Sequence, residues 1–351
     1  MRANRKKIKF IIFVAILFFV LLGSAFFVWQ KGRTFEFVSG QNNKQEQEIN
    51  EDQGPKSPIS GLACENANRR PLAIMLSSDA EARPLAGISQ ADLVFEMPVV
   101  EGGITRLMAV FVCNSPEKIG SVRSARHDFI PLALGLDAIY AHWGGSHFAL
   151  EKLKTGIMDN IDALPNPYNA FYRQSGIAAP HNGFTSAKRL LDTAGKLGYQ
   201  LTSELVGYQH LLKSEIASQE KEKKILKIKY PGAFGVSYQY DPETNSYFRF
   251  RNNLKEIDKN NNSQVEAKNI VIMRAQSRQL EDQYNDVQIE GNGDAEFYLN
   301  GQVIKGRWEK DSKSQKSKLF FYDEQDQEIK FVPGQIWVQI ADPTQEVAYG
   351  N

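Results

Sequence analysis

The chain has 351 residues, with 42 Lys and Arg against 41 Asp and Glu, and two cysteines. Two cysteines exclude a disulfide-dense scaffold and any four-cysteine zinc site. The net charge of +1 hides an asymmetry: residues 1–33 carry seven basic side chains and no acidic one, leaving 35 basic and 41 acidic residues beyond. A body of that balance does not track phosphate backbones, which excludes general nucleic-acid binding.

Residues 1–7 form a basic tail. Ile8 to Trp29 is then an apolar run of 22 residues, broken only by Gly23 and Ser24. About 20 such residues span a bilayer core as a helix. The larger basic cluster lies N-terminal to the run, which predicts a single-pass signal anchor over 8–29 with a cytoplasmic N-terminus and an extracytoplasmic body. A cleaved signal peptide is the competing reading, but its apolar region is usually shorter, about 7–15 residues. No cysteine lies near the end of the run, so lipid attachment at such a cysteine is excluded. Residues 30–60, polar and without periodicity, read as a flexible linker.

From residue 61 the texture changes. Pro71–Leu76, Ile104–Cys113 and Asp137–His142 read as strands. Asp128–Gly135, Ser146–Thr155 and Thr185–Leu197 read as helices, the last opening on a Thr/Ser cap and closing before Gly198. This alternation predicts an N-terminal α/β domain with a mixed sheet over 61–200. Residues 201–222 read as a connector, helical in part. Strands are then expected at Ile225–Tyr230, Val236–Tyr240, Tyr247–Arg251, Asn269–Arg274, Val287–Glu290, Ala295–Leu299, Gln302–Trp308, Lys318–Tyr322, Glu328–Phe331 and Ile336–Ile340, with Asn300-Gly301 as the strongest hairpin signal. This predicts a mostly β C-terminal domain over 223–345, a sandwich or barrel, in a chain that is α+β overall. Trp308 and Trp337 read as core rather than as sugar-stacking surfaces.

Arginine separates the two regions. Residues 61–200 hold eight Arg among 13 basic residues, whereas 201–351 hold five among 20. A planar fork suits carboxylate or phosphate recognition, so the first region is the expected place for a polar site. Its dense polar runs are Glu96–Arg106 (EMPVVEGGITR), Gly120–Asp128 (GSVRSARHD), His142–His147 (HWGGSH), and Arg173 with Pro180-His181-Asn182. Glu96, Glu101, His142 and His181 are the candidates for acid–base work. A metal site from His142, His147 and His181 with Glu96 or Glu101 matches no standard spacing, and no metal or other cofactor is expected. Nucleophile-elbow, Walker and dinucleotide glycine patterns are absent. An anion-recognising cleft and a buried structural network remain as alternatives. Cys64 and Cys113 are either a disulfide pair or two small buried side chains.

The blocks ARPLAGISQADLVFE (82–96), EGGITRLMAVF (101–111), KIGSVRSAR (118–126), DAIYAHWGGS (137–146) and APHNGFTS (179–186) resemble the YerB-like family of bacterial envelope lipoproteins. Val236 to Ile340 resembles the C-terminal half of that family, so the resemblance covers about 61–342. It implies two domains of unknown function and supplies no activity. The polar positions it carries over are Arg83, Asp92, Glu96, Glu101, Arg106, Arg123, Arg126, His142, Arg173, His181 and Asn182. Three departures stand out. Ser77-Ser78 replaces an Asp-Asn pair usual in the family, so Asp79 would have to substitute. His127 stands where proline is common. A membrane helix replaces the family's lipid anchor. The expectation is a tethered extracytoplasmic protein binding an anionic envelope ligand or a membrane protein partner through Arg83, Arg106, Arg123, Arg126, Arg173, His181 and Asn182. The alternatives are an envelope-polymer hydrolase or lyase using Glu96 or Glu101, and a scaffold with a structural polar network.

Overall fold

The computed structural model describes residues 54–100, 103–216, 221–281 and 283–350. The basic tail, the expected span at 8–29 and Glu101 lie outside them. Among the described residues, no helix is long and apolar enough to cross a membrane.

Three strands, β1 (Leu72–Ser77), β2 (Leu93–Pro98) and β3 (Thr105–Phe111), are buried along almost their whole length. Such continuous burial marks strands covered on both faces. After the short β4 (Ile119–Gly120) come α1 (Phe129–Gly135), β5 (Ile139–His142), α2 (His147–Lys154), β6 (Asn160–Asp162), β7 (Tyr172–Arg173), β8 (Gly183–Thr185) and α3 (Ala187–Lys196). The cap expected at Thr185 or Ser186 is formed by Ser186, which accepts from the Arg189 N–H, and Ser146 caps α2 by accepting from the Ala149 N–H, each at 3.2 Å.

The second half is almost entirely β: β9 (Gln209–His210), β10 (Ile225–Ile228), β11 (Val236–Asp241), β12 (Ser246–Arg251), β13 (Leu254–Lys255), β14 (Glu266–Ala267), β15 (Asn269–Arg274), β16 (Ser277–Glu281), β17 (Tyr284–Val287), β18 (Gly291–Leu299), β19 (Gln302–Lys310), β20 (Phe320–Asp323), β21 (Lys330–Phe331), β22 (Ile336–Ala341) and β23 (Val347–Gly350). Asn300 and Gly301 both take positive φ between β18 and β19, as a tight hairpin requires. The chain is therefore α+β, with a β-rich C-terminal half.

The two halves share one ten-stranded sheet in the order β20-β19-β18-β15-β22-β2-β3-β1-β5-β6. The joint is the parallel pair β2–β22, with Val94 opposite Trp337 and Glu96 opposite Gln339. The change of texture near residue 200 thus marks no break in the hydrogen bonding. A second sheet, β13-β12-β11-β10-β23, packs on one face. Leu226, Tyr238 and Tyr240 enter the same apolar cluster as Val94, Ile270 and Trp337. The two sheets form layers, and no barrel closes. Trp308 and Trp337 are both buried.

Three expectations are corrected. The described part of 201–222 contains no α-helix, only β9 and a turn of 3-10 helix at Lys213–Glu215. It runs extended against the body, where the Tyr208 and Leu211 N–H groups donate to the Pro58 and Phe331 carbonyls. The end of the expected linker is folded: Ser57, Ile59 and Ser60 are buried. Buried Asp92 holds this segment, accepting from the hydroxyls of Ser57 and Ser60 and from the N–H groups of Val112 and Cys113. The strand expected at Val287–Glu290 lies earlier, at Tyr284–Val287. Cys64 and Cys113 form a disulfide with a Cα–Cα distance of 5.6 Å, tying this first segment to the end of β3.

Candidate functional site

The polar side chains of the first half divide into two groups with opposite character. The first surrounds Glu96, in the middle of β2 and fully buried. Its Oε2 accepts from Arg249 Nη2 at 2.5 Å and from Arg251 Nη2 at 3.1 Å. Its Oε1 accepts from Arg251 Nη1 at 2.7 Å and from the Thr105 hydroxyl at 2.6 Å. Arg249 Nε also donates to Glu256 at 2.8 Å, and Arg249 Nη1 donates to the Tyr238 hydroxyl. The Arg249 guanidinium lies 4.0 Å from the centroid of the Trp337 ring. Burial alone would raise the Glu96 pKa, but Arg251 and Arg249 outweigh it and hold the carboxyl at about 2.

That arrangement removes Glu96 as an acid or base. Two bound guanidinium groups and no exposure leave it neither a proton to give nor access to a substrate. The network cross-links the two halves of the sequence. Sequence reasoning missed Arg249 and Arg251 because β12 reads inverted: Phe248 and Phe250 are partly exposed, whereas Tyr247, Arg249 and Arg251 alternate on the buried face. Charged side chains occupy that face because Glu96 and Glu256 are there to meet them.

The second group lies at the carboxyl ends of the parallel strands β1 and β5, a usual place for ligands in α/β sheets. The segment Ser121–Arg126 crosses there. The Ser77 N–H donates to the Ser121 carbonyl, the Arg123 N–H to Met75, and the Trp143 N–H to Arg123. Arg106, the second residue of β3, lies directly opposite Ser77. It is 3% exposed, and its Nε and Nη1 are buried with no hydrogen-bond partner. Burial, followed by the like charges of Arg123 and Arg126, lowers its pKa to about 9 against the opposing pull of Asp79. The Tyr140 and Ser121 hydroxyls are also buried without partners, as are Arg123 Nε, Arg126 Nε and His181 Nδ1.

Among the described residues one carboxylate, Asp79, comes within ion-pair distance of this group. Asp79 Oδ2 accepts from the Ser77 hydroxyl at 2.7 Å and lies 3.6 Å from Arg123 Nη2 and 3.9 Å from His181 Nδ1. Its backbone carbonyl accepts from Arg83 Nε at 3.3 Å. Asp79 thus brings a carboxylate to this group two residues after Ser77. Arg126 lies 5.5 Å from the centroid of the Tyr284 ring. Among the described residues, three arginines, two hydroxyls and a histidine with one carboxylate in reach leave unused donors. Such a set suits an anion.

The remaining candidates fall elsewhere. His142 is buried and satisfied, its Nδ1 2.8 Å from the Gly144 carbonyl and its Nε2 3.2 Å from Asn160 Oδ1. That corrects its reading as an acid–base residue. Arg173 Nη1 donates to Asn182 Oδ1 at 2.6 Å, and its guanidinium lies 4.5 Å from the Trp143 ring centroid. The pair borders the site through its neighbour His181 and spends one donor internally. Trp143 packs directly on Gly183, where a Cβ would come within 2.5 Å of the indole. His147 turns outward to Glu281 on the β16–β17 hairpin, 3.4 Å away. Tyr140 and Tyr284 were not foreseen. Tyr140 sits inside a strand of ordinary apolar character, and Tyr284 lies far away in sequence.

Residues 59–200 match the N-terminal domain of a protein family of unknown function, DUF3048, and residues 226–338 match its C-terminal domain. YerB of Bacillus subtilis (strain 168), described as a candidate lipoprotein, is 31% identical over 292 residues, covering 81% of this chain and 86% of its own. The chain belongs to the YerB-like family. A crystal structure of YerB from Bacillus subtilis superposes with a TM-score of 0.76 at 28% identity, over 84% of this chain and 99% of that one. The family brings a fold of unknown activity, so any function must be argued from the two polar groups.

Proposed function

We propose that the protein is a membrane-tethered, extracytoplasmic member of the YerB-like family that binds an anionic group of a cell-envelope component. One observation carries the reading: Arg106 is buried under the like charges of Arg123 and Arg126, with its Nε and Nη1 unpartnered among the described residues. A buried guanidinium without a partner is costly, and an incoming phosphate or carboxylate would offset that cost. Arg123, Tyr140, Ser121 and His181 offer further donors around the same place. The lipoprotein description of YerB and the basic-then-apolar N-terminus support placement at the outer face of the membrane. Glu96 supports no hydrolase or lyase, because it is sealed into its arginine pair.

The test is calorimetric titration of the purified full-length chain with inorganic phosphate, pyrophosphate and soluble wall fragments carrying phosphodiesters or carboxylates. Saturable binding lost in Arg106→Met is the expected result. Binding of no anion in the series, or equal binding by Arg106→Met, would overturn the reading. Binding restricted to an acidic membrane-protein segment would move the ligand from the envelope polymer to a protein partner.

A further inference from the structure

A separate cluster lies where the start of α1 meets the β16–β17 hairpin. His127 Nε2 is 3.2 Å from Asp128 Oδ1 and 3.6 Å from Asp286 Oδ1, and one ligand atom from each of the three lies within 4.8 Å of the others. Asp128 is 3% exposed. Its Oδ1 also accepts from the Val287 N–H at 3.2 Å, which orients the carboxylate, while its Oδ2 is buried with no hydrogen-bond partner. All three residues line a cavity of about 550 Å³. Glu290 lines it too, with Oε1 likewise buried and unpartnered. Arg278 engages the other oxygen of Asp286, at 2.8 Å, and leaves Oδ1 facing His127. Lys152 is the second cation on the wall.

We propose that His127, Asp128 and Asp286 form a site for a divalent transition metal of the zinc class. Two ligand atoms held at about 2.0–2.1 Å from a tetrahedral zinc ion stand roughly 3.4 Å apart. The two separations at His127 Nε2 bracket that value, and the two carboxylates stand within 4.8 Å of each other, so an ion is seated by a closure of the carboxylates alone. One imidazole and two carboxylates form a mixed N/O set that suits zinc, cobalt or manganese better than calcium, which prefers all-oxygen shells. Three protein ligands leave the remaining position open toward the cavity, the pattern of sites that keep a bound water or a small ligand. Unpaired carboxylate oxygens facing the same space are the acceptors a cation would use. The site adjoins the arginine group without sharing a ligand with it: Arg126 belongs to that group, and the next two residues in the chain turn to this one.

Zinc sulfate titrated into the purified, chelator-treated full-length chain tests the assignment. One saturable site of near-unit stoichiometry is expected, reversed by chelator and weakened at least about tenfold in both His127→Ala and Asp128→Asn. Cobalt(II) should give the visible absorption of a tetrahedral site in the wild type and lose it in both variants. Thermal melts of the metal-free variants show that each is folded. Asp128→Asn keeps the acceptor for the Val287 N–H, so loss of metal there is not loss of fold. Absence of a saturable site in the wild type would overturn the proposal, as would binding unchanged in either variant, which would place the metal elsewhere, for example at His147 and Glu281.

Discussion

Replacing Glu96 by Gln separates a catalytic carboxylate from a structural one. The substitution keeps the shape of the side chain and removes the charge that two buried guanidinium groups share. Removing one partner of a buried pair typically costs about 3–5 kcal/mol, because the remaining charge is left uncompensated. Glu256 still meets Arg249 and faces Arg251, so the lower part of that range is expected at pH 7. The acid limb gives a second measure. The folded-state pKa of about 2 lies below the ordinary 4.5. Stability from this group is therefore fully present above pH 4.5 and is lost as pH falls toward 2, by roughly 3 kcal/mol in all. Wild type should lose this increment on acidification, and Glu96→Gln should not. Urea unfolding at pH 7 and at pH 3, with a double-mutant cycle against Arg251→Met, reads both quantities. A loss below about 1 kcal/mol at pH 7, with an unchanged acid limb, would refute the account and return Glu96 to the list of groups free for chemistry.

Further outcomes follow from the same geometry. Arg106→Met should stabilise the ligand-free protein by at least about 1 kcal/mol in urea unfolding, since it removes an uncompensated buried charge; a net loss of stability would show that Arg106 already has an adequate partner. Changing both Cys64 and Cys113 to Ser opens a loop with a sequence separation of 49, which chain-entropy arguments value at about 4 kcal/mol; scanning calorimetry should show a clear fall in Tm, and an unchanged Tm would count against the bond holding the N-terminal segment. Burial raises the Asp128 pKa to about 7 from 3.8. With the folded pKa above the unfolded one, the cost of ionising this group grows as pH rises from about 4 to 7 and is constant above. In chelator, Asp128→Asn should therefore be more stable than wild type at pH 8 and equal to it at pH 4, and a difference independent of pH would contradict the assignment.

Local structure was legible because its causes are local. The apolar runs of β1, β3, β15 and β22, the serine caps of α2 and α3, and the Asn300-Gly301 hairpin each depend on residues a few positions apart. The asymmetric N-terminus and the Arg-rich first half were equally plain from composition. Sequence alone placed the polar candidates on one stretch of chain and could not sort them.

Tertiary structure did the sorting, because charge pairing acts through space. Glu96 meets arginines 153 and 155 residues away and becomes a structural tie. Arg106, ten residues after Glu96 in sequence, lies among the charges of Arg123, Arg126 and Asp79, and its Nε and Nη1 find no partner among the described residues. Asp286 comes to His127 from 159 residues away, a separation that no motif spacing encodes. Periodicity and capping fix which residues face inward. Whether a buried charge is satisfied depends on which distant strand or hairpin arrives beside it, and only the assembled sheets decide that.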